Sequence, residues 1–254
     1  MVASELASER SPPPATPFDA LRRIPWLSDV PCETLRGLAD QSVLHRAPAG
    51  VQLFEQAETP SFAQFLLAGG IELLAVRDGD ETLVELVGPF DLLLPAAVLT
   101  RQPYLVRARV HKEAQLLLVR AETFCLAVAT DHRLCLAVLA CQAAQFRRQM
   151  KLAKTVRLRS AEERIGAYLV GIAEAAGGAG EIRLPLGKRL IASQLGMTRE
   201  TFSRALPAIA RHGLRVVGDT LHAEDLNAAR SAFPHDPLID GPEPVRPLTP
   251  YPEE

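Results

Sequence analysis

Six apolar residues, Leu136, Leu139, Ala143, Phe146, Met150 and Ala153, follow one another at intervals of 3, 4, 3, 4 and 3. An α-helix returns to the same side with that rhythm, and a seam of this width is the mark of helices that pair along their length. The positions beside the stripe are polar or basic: Gln142, Gln145, Arg147, Arg148, Gln149, Lys151 and Lys154. A helix that covers a sheet usually shows a wider apolar face. The spacing therefore predicts one long helix over residues 131–158 with a dimer seam. A helix packed on its own β domain is the alternative. Either way the chain is divided in two.

Before the helix the apolar period is that of strands. Two helical pieces, around Phe18–Ile24 and Cys32–Ala39, precede short runs: VQLF (51–54), FAQFLLA (62–68), IELLAV (71–76), TLVELV (82–87), YLVRARV (104–110) and AQLLLVR (114–120). Gly50, Gly69–Gly70, Asp78–Gly79–Asp80 and Gly88–Pro89 read as the turns between them, Asp-Gly supplying the positive φ of a hairpin tip. Residues 18–130 are thus expected to form an antiparallel roll or barrel.

After the helix comes a third pattern. EERIGAYLVGIAEAA (162–176) reads as an amphipathic helix ending at Gly177–Gly178, and EIRLPL (181–186) as a short strand. LIASQLGMTRETFSRAL (190–206) reads as two helices around Gly196, the second prolonged by PAIARHG (207–213). Ala192 is small enough for close helix contact and Gly196 tolerates a left-handed turn. Ile191, Leu195, Met197, Phe202 and Ala205 fall where the two helices bury against each other, and Thr198 can cap the second. Arg199, Glu200, Ser203 and Arg204 are left on an outward face. LRVVGD and TLHAE (214–224) read as a hairpin beside the motif, a wing.

That face has the chemistry of a reader of DNA. Arginine donates in fork fashion to guanine O6 and N7, and glutamate accepts from cytosine N4. Between Arg183 and Val216, seven basic residues (Arg183, Lys188, Arg189, Arg199, Arg204, Arg211 and Arg215) stand against Glu200 alone, a surplus of +6 in a chain of net charge −2. Phosphate binding needs this kind of local asymmetry. Thr198 and Lys188 are included with the four outward residues as the expected DNA-binding set.

Other classes find little support. Cys32, Cys125, Cys135 and Cys141 have neither metal-ligand nor disulfide spacing, so no metal site is expected. No Ser-His-Asp, paired-carboxylate or phosphate-loop constellation stands out, so an enzyme is not expected. The N-terminus lacks a signal pattern and no apolar run is long enough for a bilayer, so a cytoplasmic protein without membrane association is expected. Residues 1–17 hold Pro12, Pro13, Pro14 and Pro17, and residues 231–254 hold seven prolines with several acidic residues. Segments 1–17 and 229–254 are expected to be disordered tails.

The order of parts and the stretch TRETFSR (198–204) resemble the Crp/Fnr family of bacterial transcription regulators. The resemblance covers roughly residues 18–228. Glu200, Ser203 and Arg204 repeat the E-x-x-S-R form of the Fnr-like branch, and Gly50, Leu53, Phe54, Gly69 and Gly88 sit where the family's β-roll keeps its turns and core. The resemblance implies an α+β chain with a cyclic-nucleotide-binding-like β-roll (18–130), a dimerisation helix (131–158) and a winged helix-turn-helix (159–228). It implies a homodimer on double-stranded DNA, a TTGAT-like palindrome and RNA polymerase as a partner.

The departures matter as much. Leu92 and Leu93 stand where cyclic-nucleotide sensors of the family place a glycine-glutamate pair for the ribose. Gln102 and Pro103 replace the arginine and hydroxyl residue that hold the phosphate, and Arg101 is displaced. Apolar side chains cannot solvate a cyclic phosphate, so cyclic AMP is not expected to bind. Cys32 is alone near the N-terminus, so no iron–sulfur cluster is expected. Haem is the remaining family option, the resemblance being nearest to nitric-oxide-responsive regulators of denitrification. Leu92, Leu93 and Leu94 would line an apolar effector pocket, and His111, His132, Cys125 and Cys135 are the candidate ligands.

Overall fold

The computed structural model describes residues 14–178, 180–241 and 245. The chain forms two compact units that divide between Phe146 and Arg147, within the long helix.

The first unit opens with helix α1 (Pro17–Arg22). Thr16 caps it by accepting from the Asp19 N–H at 3.1 Å, and Pro17, lacking an N–H, fits its first turn. Helix α2 follows (Cys32–Asp40). The sheet then runs through β1 (Ser42–Ala47), β2 (Gln52–Phe54), β3 (Phe62–Arg77), β4 (Asp80–Val87) and β5 (Arg107–Arg120). Its order is β1-β5-β3-β4, with β2 also on β5, and every pairing is antiparallel. Asp78 and Gly79, with φ of 54° and 90°, make the expected β3–β4 tip.

One expected turn is absent, and two pairs of apolar runs are continuous strands. FAQFLLA and IELLAV are one strand, and Gly69–Gly70 bends it through register shifts instead of ending it. At Gly69 φ is +93°, and a Cβ would stand 2.2 Å from the Glu113 carbonyl oxygen, so only glycine fits this close backbone approach. YLVRARV and AQLLLVR are joined likewise in β5, which begins at Arg107. Strand β1 and helices α3 (Pro95–Thr100) and α4 (Ala121–Thr130) were not expected. The last two are too short or too uniformly apolar to show a helical period.

Helix α5 spans His132–Leu158. Leu134, Val138, Cys141 and Ala144 are buried in the first unit, in a core shared with Trp26, Phe65 and Phe124. On the other side, Leu139, Phe146 and Met150 are 53, 62 and 52 % exposed, Ala143 is exposed, and Leu136 and Ala153 are half-buried. At 3.6 residues per turn the two stripes lie about 165° apart, on opposite sides of the helix. The helix covers its own domain with one face and leaves Leu139, Phe146 and Met150 open on the other. Among the described residues no single helix is long and apolar enough to cross a membrane.

The second unit opens with α6 (Ala161–Ala175). Ser160 and Glu163 form a reciprocal capping box, with bonds of 3.2 and 2.7 Å. Strand β6 (Gly180–Arg183), helices α7 (Lys188–Gln194) and α8 (Arg199–Ala210), and strands β7 (Leu214–Val217) and β8 (Thr220–Ala223) follow, the sheet order being β6-β8-β7. The expectation of a tail from residue 229 fails over its described part. Helix α9 (Leu226–Ala232) buries Ala229, Phe233 packs beside it, and α10 spans Pro237–Asp240. A Cβ at Gly166 of α6 would sit 2.3 Å from the Phe233 ring, so the glycine makes room for the aromatic. Pro237 starts α10 where a missing N–H costs nothing. Likewise Thr16 and Pro17, placed in the N-terminal tail, belong to α1. The rest of both expected tails lies outside the described residues.

Candidate nucleic-acid interface

Helices α7 and α8 are joined by a turn closed by backbone and side-chain hydrogen bonds. Gly196, at φ +66°, donates to Ser193 O (2.9 Å) and Met197 to Ala192 O (3.0 Å), the two bonds of a Schellman motif. Arg164 of α6 donates from Nη1 to Leu195 O (2.6 Å) and Gly196 O (3.1 Å), which ties the turn to the preceding helix. Thr198 then caps α8, its hydroxyl accepting from the Thr201 N–H at 3.2 Å.

Ile191, Ala192, Phe202, Ala205 and Ile209 are buried between the helices, while Leu195 and Met197 are only half-buried. Arg199, Glu200, Ser203 and Arg204 lie on the opposite side of α8 and are all exposed; Lys188, at the start of α7, is half-buried. Arg204 reaches back to the Thr201 hydroxyl at 3.5 Å, and among the described residues neither Arg199 nor Arg204 forms an ion pair. The Glu200 carboxyl is held below its usual range, first by its own backbone N–H, then by the Thr198 hydroxyl and the two flanking arginines. It stays a hydrogen-bond acceptor through the neutral range. The face therefore offers forked donors and one acceptor side by side, on a helix whose start is fixed. Arg215 is different: it pairs with Glu224 across the wing at 2.8 Å, so the local surplus includes one cation already partnered.

Leu92, Leu93 and Leu94, expected to line an effector pocket, are packed into the core among the described residues. Leu92 and Leu93 are 0 and 1 % exposed and belong to two separate core clusters, and Leu94 packs against the second. The sequence pattern pointed to apolar side chains at these positions but could not distinguish a lined cavity from a filled core. The roll interior is closed further by Phe54 and Tyr104, whose rings stack at 3.7 Å. Burial pushes the Tyr104 hydroxyl up to about 12. The four candidate haem ligands are not gathered. His111 meets Glu72 at 3.1 Å, the Cys125 thiol donates to Val98 O at 3.4 Å, His132 is exposed at the start of α5 and Cys135 is half-buried in its first turn. Among the described residues no cluster of His, Cys, Asp or Glu could hold a metal ion.

The sequence reading missed a chain of charges on the roll. Arg107 bonds Glu55 (2.6 Å) and Glu81; Arg109 bonds Glu81 (2.7 Å) and Glu72 (3.0 Å); Glu72 also meets His111. Glu72 is 4 % exposed. Hydrogen bonds to Arg109 and Arg107 hold the Glu81 carboxyl below its usual range, against the opposing effect of burial. Alternation of charge along β5 (Arg107, Arg109, His111) was the available signal.

A β-roll, a long helix with an open apolar stripe and a capped helix-turn-helix with a three-stranded wing make up a transcription-regulator architecture. The comparisons with known proteins narrow the class. Residues 163–228 match the Crp-like helix-turn-helix domain. Fifty-nine residues are 41 % identical to the nitrogen fixation regulation protein FixK of Rhizobium meliloti; the match spans 23 % of this chain and 28 % of that protein. Two solved structures share the fold. FixK2 of Bradyrhizobium japonicum has a TM-score of 0.60 at 18 % identity, with 75 % of this chain and 96 % of that one covered. The c-di-GMP-responsive global regulator CLP of Xanthomonas campestris has a TM-score of 0.64 at 16 % identity, with 77 and 100 % covered. Residues 163–228 thus have the sequence of a Crp-like helix-turn-helix domain, and the chain shares the fold of these solved regulators.

Proposed function

We propose that the protein is a homodimeric, sequence-specific regulator of transcription that reads a TTGAT-like half-site and its inverted copy. The observation that carries this reading is the exposed set Arg199, Glu200, Ser203 and Arg204 on a helix whose first turn is capped by Thr198. Recognition helices of this motif use their N-terminal residues on base edges in the major groove. Glu200 would accept from a cytosine amino group, Arg204 would fork onto a guanine and Ser203 would sit against a thymine. Arg199 and Lys188 would hold phosphates. RNA polymerase is the expected partner at promoters. An electrophoretic shift with a palindromic TTGAT duplex tests the reading. Equal retention of a scrambled duplex of the same length would sink it.

Palindromic sites require two-fold protein symmetry, and the open stripe of α5 supplies the surface for it. Leu139, Phe146 and Met150 would pair with their counterparts in a second copy. Phe146→Asp should convert the dimer to monomer in sedimentation, because an unpaired carboxylate in such a seam costs several kcal/mol, about 3–5. A variant that still sediments as a dimer would displace the seam.

The roll is proposed to take no cyclic nucleotide. Filled positions at Leu92 and Leu93 and the Phe54–Tyr104 stack support this. Calorimetry with cyclic AMP and cyclic GMP should give no heat of binding; micromolar affinity for either would overturn the proposal.

A further inference from the structure

The C-terminal segment after α9 lies against the junction of α5 and α6. Arg159, the first of the two residues between those helices, donates from Nη1 and Nη2 to both carboxylate oxygens of Asp240, at 2.6 and 2.8 Å. The pair is largely covered, the two side chains being 13 and 21 % exposed. The same Asp240 carboxylate accepts from the Asp236 N–H at 2.9 Å, while Lys154 meets Asp236 at 3.4 Å and Lys151 donates to the Gly241 carbonyl at 3.1 Å. Upstream, Phe233 fills the space above Gly166 and meets the His212 ring edge-on, with centroids 5.3 Å apart. One short segment thus touches the end of α5, the junction and the middle of α6.

The junction also meets the reading head. A Cβ on Gly196 would come within 2.7 Å of the Val156 methyl, so the helix-turn-helix turn sits directly on the last turn of α5. Arg164, five residues past Arg159, makes the two bonds to Leu195 and Gly196. The turn therefore rests on Val156 and Arg164, which flank Arg159, the residue that the C-terminal segment holds.

We propose that Arg159 and Asp240 are positioning residues for DNA binding, the segment Pro234–Gly241 acting as a strap that holds the α5–α6 junction and, through Val156 and Arg164, the turn of the reading head. The strap's existence stands on its own contacts; its effect on affinity rests on the DNA-binding reading. A forked arginine–carboxylate pair suits the task, because two parallel bonds fix an angle as well as a distance. Partial burial also protects it from salt. The Arg159 guanidinium is raised above its usual range, first by the bonds to Asp240. Burial alone would raise the Asp240 carboxyl, but the Arg159 bonds and the Asp236 N–H outweigh it and leave it below the usual range.

The experiment compares the full chain with Asp240→Asn, a chain stopped after Phe233, and the exchanged pair Arg159→Asp with Asp240→Arg. Amide hydrogen exchange over residues 155–166 reads the junction directly, with the β-roll amides as an internal control of folding. Exchange should rise about 10-fold in Asp240→Asn and further in the shortened chain, and duplex affinity should fall about 3–10-fold. The exchanged pair should recover part of both. Junction exchange at the wild-type rate in both Asp240→Asn and the shortened chain would overturn the strap. A loosened junction with unchanged duplex affinity would overturn the positioning role. A full chain that binds no duplex would overturn the DNA-binding reading and with it that role, while the exchange data would still decide the strap.

Discussion

The β-roll and the reading helix both carry arginine beside glutamate, yet they use the charges in opposite ways. On the roll, Arg107 and Arg109 are shared among Glu55, Glu81 and Glu72, and the pairs are closed by short bonds on partly covered side chains. On α8, Arg199 and Arg204 flank Glu200 without an ion pair among the described residues, all three exposed. Charges that satisfy one another add to a fold or fix its register. Exposed charges on a rigid support contribute little to the fold, and their forked donors remain for a partner. The contrast distinguishes an internal network from an interface without reference to any relative.

The largest expected effect tests the closed side. Arg109→Ala leaves Glu72 with only His111 in a site 4 % exposed. Allowing for the partial exposure of Arg109, the loss of stability should be about 2–4 kcal/mol. It should be read as a lower denaturant midpoint for the roll, with duplex binding by the remaining folded protein unchanged. A roll of wild-type stability would show that the network is dispensable. The open side should give the reverse. Arg204→Ala should leave stability within about 0.5 kcal/mol and cost roughly 1–3 kcal/mol on the cognate duplex, with choice relaxed at one base pair. Selection from a randomised duplex library measures this, and an unaltered consensus would count against the reading-head account. Arg199→Ala sharpens the comparison within the helix and has the smallest effect. As a phosphate contact it should weaken all sequences alike and flatten the salt dependence by about one unit of slope. Sequence-dependent losses would move Arg199 among the base readers.

Legibility in the sequence followed the range of the interaction. The period of α5, the glycine turn at Gly196, the Thr198 cap and the Gly218–Asp219 wing tip depend on neighbours within a few residues, and all are present in the structure. Gly69–Gly70 looked like a turn because glycine permits one; its actual cause, the approach of Glu113 from β5, lies more than forty residues away in the chain. Leu92 and Leu93 read correctly as apolar, but whether such residues line a cavity or fill it depends on what faces them. Proline content suggested a tail after residue 229, although Pro237 stands where a helix begins and Phe233 is an aromatic seeking cover. The ion pairs of β5 join three strands and Glu55, just past β2, so no local window holds more than a part of the network.

The packing of Phe233 over Gly166 also bears on the order in which the molecule can be made. The α6 helix is synthesised early in the DNA-binding unit, and the aromatic that covers it is among the last residues to be added. Domains tend to fold as units while the chain emerges, and contacts between distant parts of the chain form slowly. The β-roll can close once α4 and the first half of α5 have been made. The reading head must wait, its core incomplete until α9 and Phe233 leave the ribosome. A nascent chain therefore holds a finished roll before it has a finished DNA-binding unit, and a message cut short beyond the wing would yield protein with its reading helix present but poorly supported.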